Sequence, residues 1–321
     1  MSKSTSLCTD IGCACDDLER QMDRRYAIAT DKAETPGAAP ARSSAQRVIC
    51  RQIGATDLDG VIDLLAVGFP RRTRQYWSEA IARLAAREVP DGLPRFGYVL
   101  ESGGALVGVQ LLIFAALAGG IRCNASSWYA DPAYRGHATL LAAAATKLKH
   151  VTYVNVSPSL ATWPILEALG YDRYSLGQFA SIPWLKLGGR GRARSLTPAD
   201  AVLPEYDLLV GHSEAGCDAV ICETPLGCEP FVFVRRRVRG LPFDAMQLVY
   251  TRDTARFTAC AGPLGRFLLR RSAPLVICDA GSPVRGLVGL WFKNRGARYC
   301  KGPARPQQND LAFTELVVFG P

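Results

Sequence analysis

Apolar positions change their period several times along this chain, and the period is the first guide to its elements. Residues 1–46 show no period. Ser, Ala, Asp, Thr and Pro dominate there, ending in TPGAAPARSSAQ, which predicts a disordered arm with a helical turn or two around Asp17–Tyr26. From Arg47 the pattern becomes regular. RVICRQI predicts a strand, and Thr56-Asp57 caps an apolar-periodic helix that reaches about Val67 and stops at GFP. Trp77, Ile81, Leu84 and Ala85 recur at helical spacing within a second helix, about Arg74 to Glu88. FGYVLESGGALVGVQLLIF reads as two strands joined by a Ser-Gly-Gly turn. CNASSWYA predicts a third strand, YRGHA a turn, and the following Ala-rich run a helix to about Lys149. VTYVNVS is a buried strand, ATWPILEAL a short helix behind Ser159 with Gly170 at its end, and RYSLGQFASI a further strand.

LGGRGRARSLTP (187–198) has the composition of a linker. Beyond it a helical stretch, TRDTARFTACAGPLGRFLLRR, leads to PLVICDAGSPVRGLVGLWF, which matches the first hairpin in length and in its GLVG/ALVG entry. RRRVRG (235–240) reads as a solvated strand face or hairpin edge. The end, YCKGPARPQQNDLAFTELVVFGP, reads as a loop and a terminal strand, with Asp310, Thr314 and Glu315 in half-buried alternation. The fold class expected is α/β (α+β): a mixed sheet flanked by helices, with a second, smaller α/β region that partly repeats the first. The domains expected are an arm (1–46), a main domain (47–186), the linker (187–198) and a C-terminal region (199–321).

Composition narrows the function classes. A chain of 321 residues at 48% hydrophobic and 21% charged can bury two modest cores. The net charge of +9 belongs to the folded part, because residues 1–46 hold six Lys/Arg against seven Asp/Glu. The basic residues are scattered arginines with seven lysines, and no run alternates with aromatics, which argues against nucleic acid. Eleven cysteines form no framework: Cys50, Cys123, Cys222 and Cys278 sit in apolar runs, and MSKSTSLCTDIG has no apolar leader. A reducing, cytoplasmic setting is expected. Cys8, Cys13 and Cys15 match no zinc ligand spacing, so no metal is expected. ALVGVQLLIFAALAGG (105–120) is shorter than the ~20 residues of a spanning helix and contains Gln110, so no membrane partner is expected.

The segment Ser126–Tyr171 carries the chemistry. It reads strand, DPAYRGHA turn, helix, strand, helix, Gly-Tyr, and the helix start lacks acidic side chains. Free amides and the helix dipole at such a start suit a pyrophosphate. The order of elements over 47–182 resembles the GNAT superfamily of N-acetyltransferases, whose signature is Arg/Gln-x-x-Gly-x-Gly/Ala at the start of the acyl-CoA helix. Arg135 and Gly136 fit the opening; the two later positions fall on Ala138 and Leu140, and Leu140 departs from the pattern. The resemblance implies acetyl-CoA or another acyl-CoA as substrate, held by Trp128, Tyr129, Arg135, Gly136, His137, Ala138 and Thr139. In the resemblance the strand SSWYA (126–130) would pair with the pantetheine while the strand 152–157 diverges from it. The family often carries a Tyr four residues before the closing Gly as acid to the thiolate; Leu166 stands there, with Tyr129, Tyr153 or Tyr171 as substitutes. Acyl transfer to an amine also needs a base, for which Glu101, Asp131 and Glu315 are candidates. Of these groups Glu101, Tyr171 and Glu315 are the catalytic residues expected. The reading is an acyl-CoA-dependent N-acyltransferase with a small-molecule or protein amine (or hydroxyl) as acceptor. Its alternatives are a degenerate GNAT-like binding or scaffold protein, and a tandem GNAT enzyme of the aminoacyl-transferase type that uses charged tRNA.

Overall fold

The twelve strands of the described residues form one sheet. The computed structural model describes residues 47–320 apart from Leu187, Arg190 and Arg239; the arm 1–46, with its three cysteines and the turns expected around Asp17–Tyr26, lies outside the described residues. The first half of the chain gives β1 (Val48–Gln52), α1 (Leu58–Gly68), α2 (Arg74–Ala86), β2 (Gly97–Ser102), β3 (Ala105–Leu117), β4 (Gly120–Ala130), α3 (Ala138–Ala145), β5 (Thr152–Asn155), α4 (Trp163–Ala168) and β6 (Asp172–Ser181). The second gives β7 (Arg192–Ser195), α5 (Tyr206–Glu214), β8 (Asp218–Thr224), β9 (Gly227–Arg237), β10 (Asp244–Thr251), α6 (Thr254–Leu269), β11 (Leu275–Asp279), β12 (Gly289–Lys301) and α7 (Glu315–Val318).

The strand order is β1-β2-β3-β4-β5-β12-β6-β11-β10-β9-β8-β7. β1 to β4 pair antiparallel and β4 runs parallel to β5; β7 to β10 pair antiparallel and β10 runs parallel to β11. The halves then exchange their last strands. β6 pairs with β11 of the second half, β12 pairs with β5 of the first, and β6 and β12 pair with each other. Four apolar clusters fill the two faces. In the first half α1, α2 and the end of the chain cover one face around Leu65, Trp77 and Phe319, and α3 and α4 the other around Leu141, Leu166 and Tyr153. The α2 pattern was readable because Trp77, Ala80, Ile81 and Leu84 are its buried stripe and Thr73 caps it by accepting the Tyr76 N–H.

The structure corrects the reading at four places. The linker 187–198 contains β7, which joins the sheet beside β8. The expected hairpin over PLVICDAGSPVRGLVGLWF does not form, because β6 lies between β11 and β12. Its apolar-Gly-apolar rhythm matched the first hairpin, but the counterpart of β2–β3 is β8–β9, and α6 is the counterpart of α3. Arg236, in the run read as a solvated edge, turns inward to donate to Gln247 Oε1 at 3.1 Å. The terminal strand is instead the single helical turn α7, whose Val317 and Val318 enter two different clusters.

Where the halves join, Arg298 of β12 meets Asp279 of β11 through two hydrogen bonds, 2.9 and 3.0 Å, and the side chains are 3% and 0% exposed. Removing one partner of such a pair leaves an uncompensated buried charge. Arg298→Ala is therefore expected to cost about 3–5 kcal/mol in urea or thermal unfolding. Arg74→Ala, in an exposed pair with Asp63, should barely move the same transition.

Candidate functional site

A bulge in β4 creates the site. Ser127 and Trp128 together oppose Gln110, between the pairs Val109–Tyr129 and Leu111–Ser126, and Ser127 takes φ 45°. Such a bulge bends its strand. β4 therefore pairs with β5 only from Arg122 to Asn124, and the two strands separate beyond that point. Asn124 bridges the opening: its Nδ2 donates to Val154 O at 3.2 Å and its Oδ1 accepts the Glu315 N–H at 2.7 Å.

Glu315 stands in this opening at the start of α7. Its Oε2 accepts from the buried Ser126 hydroxyl, and its Oε1 from the exposed Ser157 hydroxyl. Burial pushes its carboxyl up, against the two hydroxyls and Arg298, which favour the charged form. Tyr76 on α2 feels that charge: burial raises its phenol most, Arg72 opposes this, and Glu315 adds to it. The Arg72 guanidinium lies over the Tyr76 ring, 4.4 Å from its centroid.

The residues leading to Glu315 form a strap held from both halves. Leu311 N–H donates to Val249 O of β10 at 2.8 Å. Arg122 of β4 pairs with Asp310 at 2.8 Å and donates to Ala312 O at 2.8 Å. Phe313 N–H donates to His212 Nε2 of α5 at 3.1 Å, and Arg83 of α2 reaches Phe319 O at 3.0 Å.

The turn after β4 is a 3-10 segment, Pro132–His137, that runs into α3. Tyr134 and Ala138 N–H groups already donate to the Asp131 and Arg135 carbonyls. Arg135, Gly136, His137 and Thr139 are exposed and Ala138 half-buried, and a Cβ on Gly136 would meet nothing within 4 Å. Trp128 packs toward α3, while Tyr129 faces α1 and donates to Asp131 at 3.0 Å. Leu140 is exposed.

Glu315 alone of the three expected catalytic groups stands in the opening. Tyr171 is buried with Leu166 in the cluster under α3 and α4, where burial, Cys123 and Tyr153 raise its phenol strongly. Tyr153 accepts the Leu148 N–H and is pushed up to about 12, chiefly by burial. Glu101 takes Arg51 Nε at 2.7 Å, and the same guanidinium holds Asp57 at 2.6 and 2.8 Å. The second half repeats this triad: Arg194 meets Glu223 at 2.5 Å and Asp200 at 2.7 Å twice. Glu101 thus occupies a structural position that recurs away from any such opening. Tyr76, Asn124, Ser126 and His212 carried no signal in periodicity or spacing. Asn124, Ser126 and His212 hydrogen-bond to the strap across 101 to 191 residues of sequence.

The second half opens in the same way and is filled differently. β10 carries a bulge between Leu248 and Tyr250, and it pairs with β11 only over Ala245–Gln247. Asn309 fills the gap: its Oδ1 accepts Asp279 N–H at 2.6 Å and its Nδ2 donates to Asp279 O at 3.1 Å. The turn before α6 carries Asp253, whose carboxylate caps the helix by accepting the Arg256 N–H at 2.6 Å. A cavity of about 350 Å³, lined by Gly120, Arg122, Thr152, Tyr250, Arg252 and Arg305 among others, lies at the end of β4 away from the Pro132–His137 turn. Among the described residues, no helix is long and apolar enough to cross a membrane.

No protein-family model matches the sequence, and no curated protein matches it. Solved structures do match. A GCN5-related N-acetyltransferase from Anabaena variabilis superposes with a TM-score of 0.53 at 10% identity, over 79% of this chain and 72% of that one. One from Kribbella flavida gives 0.50 at 16% identity, over 81% and 72%. A putative acetyltransferase from Pyrococcus horikoshii gives 0.50 at 9%, over 86% and 96%. At such identities the likeness is one of fold.

The twin triads yield a pH prediction. Arg51 and Arg194 hold Asp57 and Asp200 at about 2, below the ordinary 3.8. A carboxyl depressed by folding contributes stability that is present above its unfolded value and lost as the pH falls through its folded value. Wild-type melting temperature should therefore fall between about pH 4 and pH 2. The double variant Asp57→Asn, Asp200→Asn should melt lower at neutral pH and lose less over that window.

Proposed function

Because the chain has the GNAT fold, we propose that it is an acyl-CoA-dependent N-acyltransferase whose first half binds the thioester and whose Glu315 receives the acceptor's proton. The observation that carries this is the opening between β4 and β5 with a half-buried carboxylate in it, which burial raises. The backbone of Ser126–Ala130, freed from β5, is available to the amides of a pantetheine arm. Arg135, His137 and the exposed turn supply charge and amides for the phosphates. The first half is the acyl-CoA half in this reading, because the corresponding helix start of the second carries the Asp253 carboxylate and its gap holds Asn309.

Transfer is direct. A bound amine attacks the thioester carbonyl, its proton passes to Glu315 directly or through one water, and the tetrahedral intermediate collapses to amide and thiolate. Raising the Glu315 carboxyl brings it closer to the proton affinity that general-base catalysis near neutral pH requires. The thiolate needs a proton in return. Tyr76, whose phenol feels the Glu315 charge, is the candidate donor, since the family's usual position is occupied by the buried Leu166. The acceptor is an amine, of a small molecule or a protein. A reducing compartment such as the cytoplasm suits the eight described cysteines, all free thiols.

Calorimetric titration with acetyl-CoA should give binding heat, and Arg135→Glu should weaken it at least about tenfold through charge reversal beside the phosphates. No heat with the wild-type protein would sink the proposal. With an amine panel and thiol release as readout, Glu315→Gln should lower kcat by about 10²–10⁴ while leaving acetyl-CoA affinity unchanged. The wild-type rate should fall on the acid side with an apparent pKa above that of a free glutamate, a limb that the Gln variant lacks.

A further inference from the structure

His212 has no exposed surface and lies on α5, in the half whose own opening is filled. Its Nδ1 is 2.7 Å from Leu208 O, and its Nε2 takes the Phe313 N–H at 3.1 Å. These partners assign the neutral tautomer with the proton on Nδ1, donating to Leu208. Burial holds the ring neutral, with its pKa down at about 4. The imidazole also packs on the Phe313 ring at 4.3 Å between centroids, and a Cβ on the preceding Gly211 would come within 3.3 Å of that ring. Phe313 itself takes φ 53°, a costly conformation for a bulky residue that persists only where its surroundings impose it.

Two residues further on is Glu315. The intervening Thr314 is tied back to Leu311 O at 2.7 Å, so the backbone between the imidazole and the carboxylate has little freedom. Asn309 anchors the other end of this segment to the last residue of β11 and to Thr254. The His212 and Asn309 holds come from the second half, and the carboxylate they position stands in the opening of the first.

We propose that His212 is a positioning residue for acyl transfer: through Phe313 it fixes the Glu315 carboxylate between Ser126 and Ser157. The second half thereby contributes to the anchorage of the base that stands in the first half's opening, and its filled opening is part of that contribution. This role rests on the acyltransferase reading; the hold on the strap does not.

The test separates the two. Amide hydrogen exchange is measured at Phe313–Glu315 in the full chain without any acyl-CoA, for wild type, His212→Leu and His212→Gln. Leu fills the space and cannot accept the Phe313 N–H; Gln can donate to Leu208 and accept from Phe313. His212→Leu should speed exchange at these amides at least tenfold, with β2 and β3 unchanged, and Gln should restore most of the protection. In turnover, His212→Leu should lower kcat ten- to a hundredfold at unchanged acetyl-CoA affinity, with partial rescue by Gln. Wild-type exchange in His212→Leu overturns the proposal, and so does faster exchange with an unchanged kcat. An inert wild type whose strap still loosens in His212→Leu fails the acyltransferase reading and supports the anchorage. If His212→Leu does not fold, His212→Asn, too short to reach both partners, takes its place with the same expectations.

Discussion

A pair of parallel strands that separates leaves backbone donors and acceptors without ladder partners, and burying such groups unpaired is costly. This sheet contains two such separations, one in each half, each accompanied by a bulge in the strand beyond its last paired residue. The segment Asn309–Glu315 meets both. At its start Asn309 satisfies the N–H and C=O of Asp279; at its end the Glu315 N–H donates to Asn124 Oδ1 and its carboxylate accepts the Ser126 and Ser157 hydroxyls. The exchange of β6 and β12 makes this possible, because it sets the two separations on either side of one shared centre pinned by Arg298 and Asp279.

The two halves share a plan and differ in chemistry. Each begins with the same Arg–Asp–Glu triad and the same order of antiparallel strands, parallel pair and crossover helix. They diverge at the helix that follows the bulged strand. In the first half the residues there are exposed and one is a guanidinium; in the second a carboxylate caps the helix, and an amide side chain closes the gap. An anion is favoured at the first and opposed at the second.

Much of the first half was legible because its elements are local. The α2 stripe, the Ser-Gly-Gly turn and the strand-turn-helix at Asp131–Thr139 each depend on residues within a few positions of one another. The repeat was harder to see. Gly-rich hairpin rhythm pointed to residues 275–292, whereas the true signal was RQIGATD at Arg51–Asp57 against RSLTPAD at Arg194–Asp200, where arginine and aspartate share a spacing and a geometry. The terminal LVVF run was ambiguous because a short apolar stretch fits a strand or a helical turn equally well. The partners of Glu315 were invisible because each lies far away in sequence, and Tyr171 and Leu166 fell into a core that local patterning could not assign to one face.

Difference density from crystals soaked with CoA tests the account most directly. A single CoA per chain is expected, with its pantetheine arm against Ser126–Ala130, its phosphates at Arg135–Ala138, its sulfur near Glu315, and nothing between β10 and β11. Density in the second half's gap with Asn309 displaced, or a CoA that avoids the β4–β5 opening, would contradict it.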